Sequence, residues 1–277
     1  MSESDNLYQK RTKRNHFFLK DEGQLNIKNL TVGIAGLGGM GSNIAEYLVR
    51  LGVQNIRIAD PDIIEASNIN RQVIANLNSV GMKKAAASKR ELLQISPDLN
   101  LTVYEDGITE ENVDQFVSGC DVIVDEIDVF PIQAHYLLHQ SARRYELPVY
   151  SAYVIGLGIH FYKFDGNEYR FEDFLSLKES MTPEEKFDEM VKSFIHESPS
   201  YLKDKNMEDF RSECLNDGVP IFGPSCLVGH SIVVTRILCD ILGSKILGTP
   251  ITPTPVMPEY LKIDFTTLET KIINAKK

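Results

Sequence analysis

The chain has 277 residues, 43% of them apolar and 25% charged, enough for a sizeable buried core in one large or two smaller domains. Its formal net charge of −10 argues against a general nucleic-acid coat, and the one basic cluster, Lys10-Arg11-Thr12-Lys13-Arg14, is too short to reverse that. The N-terminus is polar, and the longest apolar stretch, about 221–247, is broken by His230, Arg236, Asp240 and glycines, so a cytoplasmic protein without a membrane span is expected.

In chain order, residues 1–29 read as a polar arm and helix, and by spacing alone the basic cluster reads as solvated. Leu30–Ala35 is a short apolar run followed at once by Gly36-Leu37-Gly38-Gly39-Met40-Gly41. Ile44, Ala45, Leu48, Val49 and Leu51 then recur at helical spacing, and Gly52 supplies a stop. Ile56–Ala59 predicts a second strand, ending at Asp60-Pro61. Beyond a polar loop the pattern predicts a helix over about Lys83–Gln94, a strand at Leu99–Tyr104, a helix at Val113–Val117 and a buried strand at Asp121–Asp125. A helix at Ile132–Tyr145 and a strand at Pro148–Tyr153 continue the alternation, which predicts an α/β fold with a doubly wound, mostly parallel sheet.

After about Gly158 the texture changes. His160–Phe164 reads as an antiparallel strand, and Asp165–Glu213, rich in charge and helix formers, reads as a helical crossover insertion. An apolar helix around Gly229–Leu242 returns to the core, and a proline-rich linker leads to closing β-structure at Tyr260–Ile273. The expected division is an arm and helix at 1–29 and a nucleotide-binding core at 30–164. The insertion at 165–218 follows, then a C-terminal helix and closing strands at 219–277.

The strand–G-x-G-x-x-G–helix has a mechanism: Gly36, Gly38 and Gly41 permit a tight turn and close backbone approach, and the helix start offers free N–H groups to phosphate. Asp60, ending the next strand, is placed to hold ribose hydroxyls. These features alone argue equally for NAD, FAD or ATP. Arg71 and Lys84, just past the ribose acid, favour ATP, because departing pyrophosphate carries charge that must be neutralised where it develops. Cys120, Cys214, Cys226 and Cys239 form no C-x-x-C pair, so neither a disulfide framework nor a zinc site is expected; Cys226 and Cys239 read as core. His135 and His139, an i, i+4 pair, read as surface or packing residues beyond the active strand end.

Four motifs carry a family resemblance. They are Gly36-Leu37-Gly38-Gly39-Met40-Gly41-Ser42, Ser67-Asn68-Ile69-Asn70-Arg71-Gln72, Lys84 (with Lys83 as a less favoured stand-in), and Asp125-Glu126-Ile127-Asp128. In these the chain resembles the ThiF/MoeB/HesA group, with its glycine turn, S-N-L-x-R-Q, G-x-x-K and D-x-x-D-N patterns. The resemblance covers Arg11 to about Phe164 well and the remainder loosely. It implies a Rossmann-like adenylation core shared with ubiquitin-activating enzymes. Gly36, Gly38, Gly39 and Gly41 would lie against ATP, Asp60 on its ribose, and Ser67, Asn68, Arg71, Gln72 and Lys84 around it, with Asn68, Arg71 and Lys84 on the phosphates. Asp128 would ligate Mg²⁺. Arg11-Thr12-Lys13-Arg14-Asn15 resembles the R-Y-x-R-Q segment, which makes Arg14 an arginine finger supplied in trans and implies a homodimer. Arg14, Arg71, Lys84 and Asp128 are then the catalytic set.

The implied reaction is attack of a carboxylate on the α-phosphate of ATP, leaving an acyl-adenylate. The expected substrate is a protein or peptide C-terminus, such as that of a small ubiquitin-like protein. A carboxylate on a small molecule or modified tRNA, a non-catalytic partner protein and an NAD-dependent oxidoreductase are the other readings. No DNA or membrane partner is expected. Two departures from the pattern stand out: Val129 replaces the asparagine, and the zinc-binding cysteine pairs are missing. Cys214 is the one cysteine near the crossover, where a nucleophile usually lies, and it reads as a small, partly buried residue.

Overall fold

The computed structural model describes residues 3–166, 168–178, 180–194 and 207–276; part of the expected insertion, 195–206, lies outside them. Five parallel strands form its centre: β1 (Thr31–Ala35), β2 (Asn55–Ala59), β3 (Asn100–Tyr104), β4 (Val122–Asp125) and β5 (Val149–Ile155). β6 (Gly158–Phe164), β7 (Glu259–Asp264) and β8 (Glu269–Asn274) extend it antiparallel. The order in this one sheet is β3-β2-β1-β4-β5-β6-β7-β8, so the chain reverses its direction of winding between β1 and β4. The predicted doubly wound sheet with an antiparallel C-terminal extension is thus what forms.

Local chemistry explains the central unit. β1 is apolar on both faces because helices cover both. The helix that follows the glycine turn, α3 (Gly41–Leu51), buries Ile44, Ala45, Leu48 and Val49 on one stripe. Burying each of Ile44, Leu48 and Val49 is worth about 1.5–3 kcal/mol. Gly52 stops the helix at φ 110°, in the left-handed region a side chain resists.

One face of the sheet packs on α3, on α4 (Lys84–Ile95) and on the long α10 (Gly223–Leu247). α10 has the length and hydropathy of a membrane span, yet it lies against β5, β6 and α3, where Val233, Val234 and Ile237 are buried. The other face carries α5 (Val113–Val117) and α6 (Ile132–Arg144). The insertion adds α7 (Phe171–Phe174), α8 (Pro183–Phe194) and α9 (Met207–Asp217). Phe171, Phe174 and Phe194 join Tyr162 and Tyr260 in this second core, so the first two of these helices share the core of the sheet.

The N-terminal α1 (Glu3–Thr12) and α2 (His16–Asn29, broken at Lys20) revise the solvated reading of the basic cluster in part: Lys10, Lys13 and Arg14 are exposed, but Arg11 and Thr12 dock on the core. Arg11 donates to the Val49 carbonyl and to Ser96, Tyr8 to the Gly52 carbonyl and Asn15 to the Leu51 carbonyl. The arm therefore caps the C-terminal end of α3, satisfying carbonyls that the helix leaves open.

Candidate nucleotide site at the strand ends

Strand register brings the site together. Ala35, ending β1, pairs with Ala59 of β2 and with Asp125 of β4, so the residues after each strand emerge side by side. Gly36 donates to the Ala59 carbonyl at 2.8 Å, and Glu126 donates to the Ala35 carbonyl at 2.8 Å. With strands about 4.8 Å apart, Asp60 and Asp125 flank the turn across about 10 Å. This is the switch point of the sheet, where open α/β folds bind ligands.

The turn between β1 and α3 is built on two glycines. Gly36 has φ 88°, and a methyl there would sit 2.1 Å from the Glu126 carbonyl oxygen. A methyl on Gly41 would sit 1.8 Å from the Gly36 carbonyl oxygen. Gly38 differs: the atom nearest a methyl there is Gln72 Nε2, at 3.9 Å, so the space above it is open. Ser42 Oγ and Asn43 Nδ2 donate to the carbonyls of Gly38 and Gly39, while the amides of those two glycines have no acceptor among the described residues. An open cradle with two free N–H groups at a helix start fits a phosphate.

Asp60 is buried, and both of its oxygens accept backbone N–H groups, Oδ2 from Leu37 at 2.6 Å and Oδ1 from Asp62 at 2.9 Å. It therefore braces the glycine turn as well as facing the site. Burial raises its carboxyl above the ordinary range, against the pull of Lys84 and the two N–H groups. Lys84 opens α4 with its side chain buried and its Nζ 2.8 Å from Asp62 Oδ2. Lys83 points elsewhere, to Glu105 at 3.1 Å, so Lys84 is the cation of this pair that joins the site.

The 61–82 loop delivers Arg71. Its Cγ comes within 3.1 Å of the methyl position at Gly39, so the arginine stem lies on the turn. Its Nη1 donates to the Ser67 carbonyl and to Asn70 Oδ1, while its buried Nε has no partner among the described residues. The Oδ1 of the neighbouring Asn68 already accepts the Glu65 N–H at 3.0 Å, closing a short 3-10 turn, so that oxygen serves the loop. Ser67 is exposed and donates to Glu65. Gln72 is buried, with Oε1 unpartnered. Such orphaned polar groups in a native fold call for a ligand or water.

Three residues acquire places that their sequence context did not suggest. Cys226, read as ordinary core, is buried in the first turn of α10 but with Sγ 3.0 Å from the Gly39 methyl position, beside Arg71. Burial pushes its thiol up to about 11 although Arg71 pulls the other way, so it is a neutral wall of the site. Glu126 bends back and accepts the Ala152 N–H at 3.0 Å, replacing the ladder bond that β5 loses where β4 ends. Its enclosed carboxyl is pushed well up by burial and by Asp125. His135, read with His139 as a surface or packing residue, is wholly buried with its partner against Asp125. The i, i+4 spacing was visible in the sequence; the aspartate that it serves lies on a strand and was not.

Asp128 is exposed in the loop after β4, with no hydrogen bond to its carboxylate among the described residues. Arg14 is exposed at the far end of α3 from the turn, next to Asn15 and its bond to Leu51. Cys214 is buried in α9, and its thiol is pushed up to about 11 by burial and by Glu213.

A sequence model of the ThiF family matches residues 11–277. Among curated proteins, the chain is 34% identical over 140 residues to the tRNA threonylcarbamoyladenosine dehydratase of Bacillus subtilis, covering 50% of this chain and 54% of that one. It is 32% identical over 145 residues to the SAMP-activating enzyme E1 of Haloferax volcanii, covering 52% and 50% of the two chains. It is also 34% identical over 142 residues to the sulfur carrier protein ThiS adenylyltransferase of Bacillus subtilis, covering 50% and 42%. The chain thus spans about half the length of the curated relatives it matches. Among solved structures, E. coli MccB with ATP superposes at TM-score 0.67 and 19% identity, over 96% of this chain and 70% of MccB. PaaA superposes at TM-score 0.66 and 18% identity, over 99% of this chain and 75% of PaaA. At those identities the likeness concerns the fold alone.

Proposed function

The chain belongs to the ThiF family, and from that premise we propose that it is an ATP-dependent adenylyltransferase activating a protein or peptide carboxylate. One observation carries the reading: an open glycine cradle at the switch point, with Arg71 lying on it and Asp60 and Lys84 beside it. The free amides of Gly38 and Gly39 would take phosphate oxygens, and Asp60 the ribose. Arg71, whose Nε lacks a partner, and Lys84, held by one half-exposed aspartate, are the cations that would neutralise departing pyrophosphate.

The donor set suits magnesium. Mg²⁺ bound with phosphates asks the protein for one or two carboxylates, and Asp128 offers one that is exposed and has no hydrogen-bond partner among the described residues. When bound it would offset phosphate charge. The remaining work is positioning: this chain holds the α-phosphate over the turn, and the substrate carboxylate attacks it in line.

Arg14 would reach the site of a second copy. α3 has 11 residues, about 16 Å of helix, and Arg14 stands at its C-terminal end, so it is out of reach of its own glycine turn. This supports a homodimer with the finger supplied in trans. The names of the SAMP-activating and ThiS-adenylating relatives, and the structures of MccB with MccA, support a protein or peptide substrate. The dehydratase relative keeps modified tRNA as the second reading.

The test is pyrophosphate exchange into ATP with Mg²⁺, driven by glycine-ended peptides or small ubiquitin-like proteins. Exchange that depends on the peptide is expected. Binding of NAD without binding of Mg²⁺–ATP would overturn the reading.

A further inference from the structure

The pair His135 and His139 has no role in the reading above, yet with Asp125 it forms an almost fully buried polar cluster behind the site. Asp125 ends β4 and is 0% exposed, as is His135, while His139 is 2% exposed. One carboxylate oxygen of Asp125 receives both rings, His135 Nδ1 at 2.6 Å and His139 Nε2 at 2.9 Å. The other oxygen accepts the Ile127 N–H at 3.2 Å. Phe171 stacks on both imidazoles, with centroids at 5.0 and 4.4 Å, and closes the cluster from the insertion side.

The second nitrogen of His135 sets the consequence. Nε2 lies 2.9 Å from the backbone carbonyl of Asp128. A carbonyl only accepts, so Nε2 carries a proton and donates. One rigid ring therefore spans the loop from the Asp125 side chain to the Asp128 main chain, with the Asp125–Ile127 bond fixing the turn between them. The Asp128 carboxylate has no hydrogen bond of its own among the described residues, so its position follows from its backbone, and His135 holds that backbone. Val129, the next residue, is apolar and offers no side-chain hydrogen bond to the loop. His139 touches Asp125 and not Asp128.

We propose that His135 is the positioning residue of the metal subsite: through the Asp128 carbonyl it holds the Asp128 carboxylate where a divalent cation and the ATP phosphates meet. The inference rests on the assignment of the metal to Asp128. Groups that orient a metal ligand without touching the metal are worth roughly 10- to 100-fold in metal affinity.

The experiment measures binding of an ATP analogue with a non-cleavable α–β bond as Mn²⁺ is titrated, with Mn²⁺ followed by electron paramagnetic resonance. The full-length variants are His135→Gln, His139→Gln, Asp128→Asn and the double variant of His135→Gln with Asp128→Asn. His135→Gln keeps a donor for Asp125 but cannot span to the carbonyl. It should raise the Mn²⁺ midpoint about tenfold, with metal-free analogue affinity within about twofold of wild type. His139→Gln should leave the midpoint near wild type. Asp128→Asn should abolish the metal response, and the double variant should match it. Phe171→Leu, which loosens the ring without removing a buried polar group, should shift the midpoint the same way by about threefold, and it serves if His135→Gln does not fold. An unchanged midpoint in His135→Gln or Phe171→Leu, with the response lost in Asp128→Asn, would overturn the proposal. A wild-type response in Asp128→Asn would instead show the metal assignment itself to be wrong, and the proposal would fall with it.

Discussion

Alanine at Gly38 and alanine at Gly41 should have opposite effects, because the two glycines are small for different reasons. At Gly38 the backbone needs no positive φ, and the nearest atom to the new methyl is 3.9 Å away, so the free protein has room for it. Restricting the unfolded chain should then stabilise by about 0.4–1 kcal/mol, a rise in Tm of no more than about 2–4 °C. The same methyl stands where phosphate would approach the amides. Losing one charge-assisted hydrogen bond costs about 1.5–3 kcal/mol, a roughly 10- to 150-fold rise in Kd for ATP. At Gly41 the methyl would lie 1.8 Å from a backbone oxygen, so the turn itself must open, at a cost of about 1–3 kcal/mol. Thermal melts of the two variants, with and without Mg²⁺–ATP, and direct nucleotide titration read both effects. Wild-type ATP affinity in Gly38→Ala would refute the cradle, and wild-type stability in Gly41→Ala would refute the turn geometry.

Glu126→Gln tests the enclosed carboxyl. Because its folded-state pKa lies above the unfolded value, the stability it gives is complete below about pH 4.5 and is lost as pH rises. The glutamine variant keeps an acceptor for the Ala152 N–H, so its Tm should overtake that of wild type between pH 4 and pH 8. A difference that stays constant over that range would argue against a buried titrating carboxyl. Cys214→Ser should leave both adenylation and the complete reaction unchanged, since burial and Glu213 keep the thiol protonated; loss of only the second step would make Cys214 the acyl acceptor. For Arg14, an inactive Arg14→Ala protein mixed one to one with inactive Asp128→Ala protein should regain about a quarter of wild-type exchange, because half the dimers are mixed and each holds one intact site. No recovery in verified mixed dimers would remove the trans finger.

Much of the fold was legible because it rests on local patterns. The apolar run before Gly36, the helical spacing from Ile44 to Leu51 and the stop at Gly52 are short-range signals, and the structure realises them almost residue for residue. The arm was harder. Arg11 of α1 and Asn15 reach the C-terminal carbonyls of α3, while α2 buries Leu19, Gly23 and Ile27 beside α10, and nothing within residues 3–29 announces either contact. The long α10 begins at Gly223, ahead of the expected 229, with Pro224 in its first turn where a missing N–H costs nothing, and its helical geometry breaks at Gly243, just past the expected end at Leu242.

The candidate site divides along the same line. Sequence alone determined which chemistry is present: a glycine turn, an acid one strand later, then Arg71 and Lys84 at spacings that resemble one family. Tertiary structure decided which of those groups face one another. It turned Lys84 inward and Lys83 outward, laid Arg71 on Gly39, and set Cys226 against the turn from a helix that begins some 180 residues further on. It also put His135 between Asp125 and Asp128. The physical reason is register: the pairing of β1 with β4 joins residues about 90 positions apart, and only that long-range pairing places the two strand ends, and whatever follows them, around one ligand.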